Sequence, residues 1–246
     1  MVEVAVGETR DQITGNWDIF QLAKGHRFST DDVVAAWTAA NVRPNAKRLI
    51  DIGAGIGSVG LMTLYLMKPD AKSVFVEVQE VSHRLCRKTI EHNNLGDRVE
   101  LRHGDLRDEA MIPESGMYDL VTGSPPYFPL GTGVVSPNPQ RAGARMELKG
   151  NVFDYCRTAA RLMKPDAAFV LVHSAVDPRP EEAIAAAGLT LNSRQDVLFR
   201  AGRAPTIAVF TSSFGGDRVD PDPLVMRTAD GDWGLDRLML RKVFGI

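Results

Sequence analysis

From Arg48 onward, short apolar runs typical of buried strands alternate with segments of helical periodicity. The predicted strands are Arg48–Ile52, Ser73–Val78, Val99–His103, Tyr118–Thr122 and Ala167–His173. The predicted helices are Ser58–Met67, Ser82–Asn93, Val152–Met163 and Arg179–Ala187. Such alternation forms a mainly parallel sheet covered on both faces, and right-handed crossovers make it doubly wound. Two late runs, Leu189–Phe199 and Pro205–Ser212, predict an antiparallel pair. We therefore expect a doubly wound α/β fold with a seven-stranded, mainly parallel sheet and an antiparallel last strand.

Segments outside this alternation divide the chain into three predicted parts. Residues 1–46 form a lead-in with a helix that begins at Ser29 or Thr30, and we expect it to pack on the central domain. Residues 47–214 form that central domain, and residues 215–246 form an irregular C-terminal tail. Within the central domain, the stretch from 129 to 150 is long, polar and rich in glycine and proline, which predicts a functional or irregular loop.

Charge and cysteine content narrow the class of protein. The 246 residues carry a net charge of −2, so the chain lacks the overall basic excess typical of nucleic-acid binders, although a local basic face remains open. Cys86 and Cys156 lie in predicted helices without metal-ligand spacing, which favours reduced structural thiols and no metal. The N-terminus lacks the pattern of a secretory signal, and no apolar run reaches the ~20 residues that span a bilayer, so we expect a cytoplasmic protein with no membrane association.

A glycine-rich turn follows the first predicted strand directly, in Asp51-Ile52-Gly53-Ala54-Gly55-Ile56-Gly57. Glycine lacks a Cβ, so the turn can be tight and a ligand can approach the backbone at the edge of the sheet. The run from Gly55 to Gly60 also matches the dinucleotide pattern G-x-G-x-x-G, but it starts four residues beyond Asp51 instead of directly after the strand. The turn starting at Gly53 resembles the cofactor turn of S-adenosylmethionine-dependent enzymes.

Acidic residues lie at the ends of the next two predicted strands. Glu77 lies where an acid can hydrogen-bond both ribose hydroxyls of a nucleoside cofactor. Asp105, beside Leu106, can accept a hydrogen bond from an adenine amino group. Each acid alone could be a solvated strand-end or turn residue. Together with Asp51, however, they follow three successive strands whose carboxyl ends meet at one edge, which favours a cofactor site.

The fourth predicted strand ends in Ser124-Pro125-Pro126-Tyr127. The two prolines fix the backbone and hold Ser124 extended, so the carbonyls can accept hydrogen bonds beside the flat Tyr127 ring. This arrangement suits a planar, NH₂-bearing group such as a nucleobase. An exocyclic amine is weakly basic and needs acceptors that orient its lone pair, while proximity supplies most of the acceleration. The motif predicts methyl transfer onto nitrogen, with Tyr127 and Phe128 stacking on a flipped-out base.

These motifs resemble the class I methyltransferases that modify amino groups, whose signature is (Asn/Asp/Ser)-Pro-Pro-(Tyr/Phe/Trp). Over residues 10–212 the chain is similar to the bacterial tRNA1(Val) adenine-37 N6-methyltransferases. The resemblance is carried by Phe28–Asp32, the glycine turn, Glu77, Ser124–Phe128 and Ala144–Glu147 with the helix that follows. It implies a Rossmann-like methyltransferase fold, S-adenosylmethionine as cofactor, and N6-methylation of adenine in tRNA or another structured RNA.

The expected site residues form three groups. The catalytic group is Ser124, Pro125, Pro126 and Tyr127. The cofactor-binding group is Asp51, Gly53, Ala54, Gly55, Gly57, Glu77, Val78, Asp105, Leu106, Ser124 and Thr30. The substrate-binding group is Tyr127, Phe128, Arg141 and Arg145.

Other functions remain open. The tRNA enzymes typically have Asn where this chain has Ser124, and the low net charge also favours a small-molecule amine or a protein side-chain amide as acceptor. A catalytically silent partner subunit is a further alternative, against which the intact motifs argue. Arg141 and Arg145 could contact RNA phosphates or simply be solvated. A basic rim around Tyr127 would favour RNA, and a closed lid would favour a small substrate.

Overall fold

The computed structural model describes residues 2–132 and 134–246. The strands are β1 (Glu8–Gln12), β2 (Asp18–Leu22), β3 (Arg48–Ile52), β4 (Lys72–Glu77), β5 (Val99–His103), β6 (Tyr118–Gly123), β7 (Met163–Ser174), β8 (Thr190–Leu198), β9 (Ile207–Ser213) and β10 (Leu224–Val225). The helices are α1 (Thr30–Val42), α2 (Ser58–Leu66), α3 (Glu80–His92), α4 (Pro139–Arg145), α5 (Val152–Leu162), α6 (Arg179–Ala186) and α7 (Leu235–Phe244).

The main sheet has the strand order β10-β8-β9-β7-β6-β3-β4-β5. Strands β5, β4, β3, β6 and β7 are parallel, and β9 is antiparallel to both of its neighbours, β7 and β8. The predicted mainly parallel, doubly wound sheet with a late antiparallel strand is therefore confirmed. The predicted number of seven strands is wrong by one, because β10 joins β8 in parallel. Two residues are too few to produce a strand pattern in the sequence.

Helices cover both faces of the sheet and bury a core on each. One core gathers side chains from α1, α2, α3 and α7, and the other gathers side chains from α5 and α6. Strands buried on both faces read as continuous apolar runs, which explains why the sequence pattern predicts them well. Both cysteines lie in these cores as free thiols. Within the described part of the chain, no helix is long and apolar enough to cross a membrane.

The lead-in contains a β-hairpin that the sequence analysis did not predict. Strands β1 and β2 pair antiparallel, and Phe20 donates its backbone N–H to the hydroxyl of Thr89 in α3 at 3.0 Å. The hairpin buries only part of each strand, so its sequence mixes polar and apolar residues without clear alternation. The tail contributes β10 and α7, and α7 contacts α1 and α2. The division of the chain at residues 46 and 214 stays a prediction.

A short helix interrupts the predicted loop from 129 to 150. Helix α4 starts after Asn138, whose side chain accepts the backbone N–H of Arg141 at 3.0 Å, and Pro139 occupies its first position. Asparagine caps and first-turn prolines are ordinary helix-start signals, so this helix was readable from the sequence. Its consequence is that Arg141 is held by a helix rather than by a free loop.

Candidate cofactor and methyl-acceptor site

One cavity of about 940 Å³ lies at the carboxyl edge of the parallel strands. It is lined by segments that follow β3, β4, β5, β6 and β7. The predicted cofactor-binding residues that line it are Asp51, Gly53, Ala54, Gly55, Glu77, Val78, Leu106 and Ser124. The predicted acceptor-site residues that line it are Ser124, Pro125, Pro126, Tyr127, Phe128, Arg141 and Arg145. The structure thus brings the two predicted motifs together in one cavity.

Three predicted cofactor residues, Thr30, Gly57 and Asp105, do not line this cavity. Thr30 begins α1, and its neighbours in the helix supply the lining instead. Gly57 precedes α2 with φ of +90°, and a Cβ there would lie 2.8 Å from the sulfur of Cys86. Asp105 accepts hydrogen bonds from the guanidinium of Arg107, at 2.6 and 2.9 Å. This pairing holds the pKa of Asp105 below its usual range, so the carboxylate already has a cationic partner.

The glycine turn forms a cradle because of its backbone conformation. Gly53 and Gly55 have φ of +66° and +58°, in the left-handed region that favours glycine. A Cβ on Gly53 would overlap the hydroxyl of Tyr155, so packing also requires glycine there. A Cβ on Gly55 would meet nothing within 4 Å, since this residue borders the cavity. Gly55 therefore gives a ligand access to the backbone.

Two buried carboxylates hold this turn in place. Asp51 accepts the hydroxyl of Thr122 at 2.8 Å and the backbone N–H of Gly60 at 2.9 Å. Glu77 accepts the backbone N–H of Gly55 at 2.7 Å and that of Gln79 at 2.6 Å. Burial raises the pKa of Asp51 to about 7 and also raises the pKa of Glu77. Each carboxylate oxygen keeps a further lone pair for a ligand.

A third buried acid reaches the site from the lead-in. Asp32 of α1 accepts the backbone N–H of Ser29 at 2.8 Å and the hydroxyl of Ser58, the first residue of α2, at 2.8 Å. Burial, and to a lesser extent the negative charge of the neighbouring Asp31, raises the pKa of Asp32 to about 7. Within the described ranges, Asp32 forms no ion pair, and neither does Asp51 or Glu77. A cluster of buried carboxylates without a protein cation fits a cationic ligand such as S-adenosylmethionine, which carries a sulfonium and an ammonium group.

The Ser-Pro-Pro-Tyr turn follows β6 along another wall of the cavity. Pro125 and Pro126 are buried, and no hydrogen bond from the described residues reaches the carbonyl of Ser124 or Pro125. The hydroxyl of Tyr127 donates to Asp31 at 3.0 Å. Burial, with the nearby Asp31, raises the pKa of Tyr127 well above its usual value. The turn therefore presents two carbonyl acceptors and a ring in a defined orientation.

Arg179 fixes the chain that follows this turn. Its guanidinium donates to Glu147 at 2.6 Å, to Asp177 at 2.6 Å and to the carbonyl of Tyr127 at 3.4 Å. Arg179 also lines the cavity. Sequence analysis assigned no role to Arg179, because it begins a helix 52 residues after the turn and belongs to no local motif. These hydrogen bonds connect the Ser-Pro-Pro-Tyr turn, which we call the acceptor wall, to the start of α6.

Basic and aromatic side chains also line the cavity. Phe128 is 40% exposed, and the guanidinium carbon of Arg145 lies 5.5 Å from the centre of its ring. Arg141 donates to the carbonyl of Gly25 at 2.9 Å, which anchors it to the lead-in. Lys149 also lines the cavity, and its side chain makes no ion pair within the described ranges. The buried carboxylates of Asp32, Asp51 and Glu77 around the glycine turn form what we call the acidic cradle. The side chains of Arg141, Arg145 and Lys149 form what we call the basic rim.

Comparisons with known proteins find similar methyltransferases. Residues 29–136 match the family model described as methyltransferase small domain. The tRNA1(Val) (adenine(37)-N6)-methyltransferase of Bacteroides thetaiotaomicron is 24% identical over 82% of this chain and 83% of its own. The 4-amino-L-phenylalanine/4-methylamino-L-phenylalanine methyltransferase of Streptomyces pristinaespiralis is 32% identical over 58% of this chain and 50% of its own. A solved "predicted O-methyltransferase, protein Atu636" of Agrobacterium tumefaciens superposes with a TM-score of 0.64 at 19% identity, over 87% of this chain and 96% of its own.

The fold, the glycine turn and the family match define the class of protein. The matches support an S-adenosylmethionine-dependent methyltransferase, and the chain has the Rossmann-like fold of such enzymes. Within that class it is similar to the tRNA1(Val) (adenine(37)-N6)-methyltransferases, which confirms the resemblance carried by its motifs.

Proposed function

We propose that the protein transfers a methyl group from S-adenosylmethionine to the exocyclic N6 amino group of an adenine in tRNA. The single observation that carries this proposal is the composition of the cavity, in which the Ser-Pro-Pro-Tyr turn faces the glycine cradle inside a basic rim. Its volume of about 940 Å³ lies near the upper end of the range for ligand pockets, which leaves room for a cofactor and a planar acceptor together. A tRNA substrate would place the protein in the cytoplasm.

The acidic cradle would hold the cofactor. The backbone around Gly55 would contact its amino-acid part, and Glu77 would accept hydrogen bonds from its ribose hydroxyls. Asp32 and Asp51 would stabilise its positive charge, since a nearby cation favours the ionised form of a buried carboxylate. When bound, S-adenosylmethionine supplies an activated methyl group on its sulfonium.

The acceptor wall would orient the adenine. The carbonyls of Ser124 and Pro125 would accept the two hydrogens of the amino group, which leaves its lone pair directed at the methyl group. Tyr127 and Phe128 would stack on the flipped-out base, as in other enzymes that act on a base outside its helix. Because both prolines are buried, the acceptors are held before the substrate arrives, and orientation of this kind supplies most of the acceleration.

The basic rim supports an RNA substrate over a small molecule. Arg141, Arg145 and Lys149 all line the cavity, and Arg145 lies against Phe128 of the acceptor turn, so phosphates flanking a flipped nucleotide would meet cations there. An overall net charge of −2 does not oppose this, because phosphate contacts depend on the local arrangement of cations.

A small aromatic amine is the second candidate substrate. The relative from Streptomyces pristinaespiralis carries the name of an aminophenylalanine methyltransferase, and Ser124 heads the acceptor motif of this chain in place of asparagine. An aryl amine is planar and weakly basic like the adenine amino group, so the same acceptor wall would serve it.

Transfer of tritiated methyl groups separates the two candidates. We expect label in total bacterial tRNA, recovered as N6-methyladenosine after digestion, and none in 4-aminophenylalanine. Pro126→Ala should lower transfer about 100-fold, because small displacements of positioning groups cost that much. Pro113→Ala, at an exposed proline outside the cavity, is the matched control. Label in the amine but not in tRNA would refute the proposal.

Calorimetry tests the cofactor cradle independently of the acceptor. Gly55→Asp should abolish S-adenosylmethionine binding because it places a side chain in the cradle. Gly96→Asp is the matched control, since Gly96 is exposed and a Cβ there also meets nothing within 4 Å. Equal binding by both variants would contradict the assigned cofactor position.

A further inference from the structure

The C-terminal tail and the loop between β8 and β9 form a basic surface outside the cavity. We call it the tail surface and define it by an exposed tryptophan and the arginines around it, which are Trp233, Arg200, Arg203, Arg227, Arg237 and Arg241. Trp233 is 41% exposed. The guanidinium carbons of Arg237 and Arg241 lie 4.5 and 4.8 Å from the centre of its ring.

The arginines of the tail surface have no acidic partners. Among residues 2–132 and 134–246, none of the five forms an ion pair, whereas the nearby Arg194 and Arg218 both pair with Glu181. Burial, and to a lesser extent the positive charges of Arg227 and Arg241, lowers the pKa of Arg237. Like charges gathered at one surface repel one another, so an arrangement of this kind is a cost to the fold unless an anion binds there.

Acidic residues nearby do not neutralise the surface. Asp236 accepts the backbone N–H of Val225 at 2.7 Å and so serves the start of α7. Asp230 and Asp232 lie in an exposed turn and pair with no arginine. The cations therefore remain available to a ligand from solution.

The tail surface is continuous with the cavity. Phe199 lines the cavity, and Arg200 follows it directly. The backbone N–H of Ala201 donates to the carbonyl of Arg227 at 2.8 Å, and the side chain of Arg227 donates to the carbonyl of Gly231 at 2.7 Å. Strand β10 runs parallel to β8, so the chain leaves both strands at the edge of the sheet where the cavity lies. A basic path thus leads from the cavity towards Trp233.

We propose that the tail surface binds the phosphate backbone of the substrate RNA beyond the modified nucleotide. The proposal rests on the proposed function and names the surface that holds the rest of the RNA. Arginine presents a planar fork of donors that matches phosphate oxygens, and the Trp233 ring holds Arg237 and Arg241 beside each other by cation–π contacts. Arg200 and Arg203 lie in the loop between β8 and β9, and the other members lie on the tail. None of these residues lines the cavity.

Binding of tRNA tests the tail surface separately from catalysis. The variants are Arg200→Gln with Arg203→Gln, and Arg237→Gln with Arg241→Gln, each in the full chain. Arg157→Gln, at an exposed arginine of α5, is the matched control. Fluorescence anisotropy with labelled tRNA measures the Kd at salt concentrations from 50 to 200 mM. We expect each double variant to weaken binding about tenfold and to lower the slope of log Kd against log salt by about 2, since each lost phosphate contact removes about one unit.

The outcomes separate the two proposals. Weaker tRNA binding and a higher KM for tRNA, with S-adenosylmethionine binding unchanged, would support the tail surface. Double variants that bind and methylate tRNA like the wild type would overturn it while the proposed function stands. Wild-type protein that binds tRNA through this surface but labels only the aryl amine would refute the proposed function, and the RNA bound by the tail surface would then not be the substrate. Absence of tRNA binding by the wild type would overturn the tail surface.

Discussion

Replacing the buried Asp51 carboxylate by an amide should give a variant whose stability relative to the wild type increases as the pH rises. In Asp51→Asn, the amide oxygen can accept the backbone N–H of Gly60, and the amide nitrogen can donate to the hydroxyl of Thr122. The substitution therefore keeps both hydrogen bonds and removes only the ionisable group. Any change in the pH dependence of stability then reports the cost of ionising Asp51 in the folded state.

The size of the effect follows from the pKa shift. Burial raises the pKa of Asp51 to about 7, against about 4 in an unfolded chain. The unfolded state ionises first, so the wild type loses stability as the pH rises from about 4 to about 7, and loses no more above that. Three pKa units correspond to about 4 kcal/mol, of which about 3 kcal/mol is lost between pH 5 and pH 8. The amide variant loses none of this.

Urea unfolding of the ligand-free protein at pH 5, 6, 7 and 8 measures the difference. We expect the free energy of unfolding of Asp51→Asn to rise by about 3 kcal/mol relative to the wild type across this range. Asp119→Asn is the control. Burial opposes ionisation of Asp119, but hydrogen bonds from Lys164 and two backbone N–H groups outweigh it and lower its pKa. Its contribution is therefore lost only below pH 4, and its difference from the wild type should stay constant.

A constant difference between Asp51→Asn and the wild type from pH 5 to pH 8 would refute the reasoning. It would mean that the carboxylate is ionised in the folded protein with no penalty, and that the acidic cradle is better solvated than its burial indicates. In that case, binding of S-adenosylmethionine would release no proton from Asp51 near neutral pH.

Two further substitutions test the packing around the site. Gly60→Ala places a Cβ within 2.5 Å of the Phe75 ring, so overpacking of about 1–3 kcal/mol should exceed the gain of about 1 kcal/mol in helix propensity and lower the unfolding midpoint in urea. Higher stability of this variant would show that the ring can move aside. Tyr127→Phe removes the hydrogen bond to Asp31 and should lower the free energy of unfolding by about 1–2 kcal/mol. An unchanged value in the same assay would mean that water replaces this bond without cost.

Much of the site was readable because its residues follow strands directly. Asp51, Glu77 and Ser124 all lie at or just beyond strand ends, and parallel strands bring their carboxyl ends to one edge. Asp105 occupies an equivalent position but pairs with Arg107, two residues later, and does not line the cavity. A position directly after a strand thus predicts that the residue lies at the carboxyl edge of the sheet. The hydrogen-bond partner of its side chain, however, depends on the residues next to it in the chain.

The sequence by itself determined the alternation of strands and helices, the left-handed glycine turn and the rigid acceptor turn. Each depends on the local periodicity of burial or on the backbone preferences of glycine and proline. Only the tertiary structure decided that β9 lies between β7 and β8, that Asp32 reaches Ser58, and that Arg179 holds the acceptor turn. It also placed the arginines of the tail beside the cavity. These contacts join residues distant along the chain, and local preferences carry no information about which distant segment becomes the neighbour.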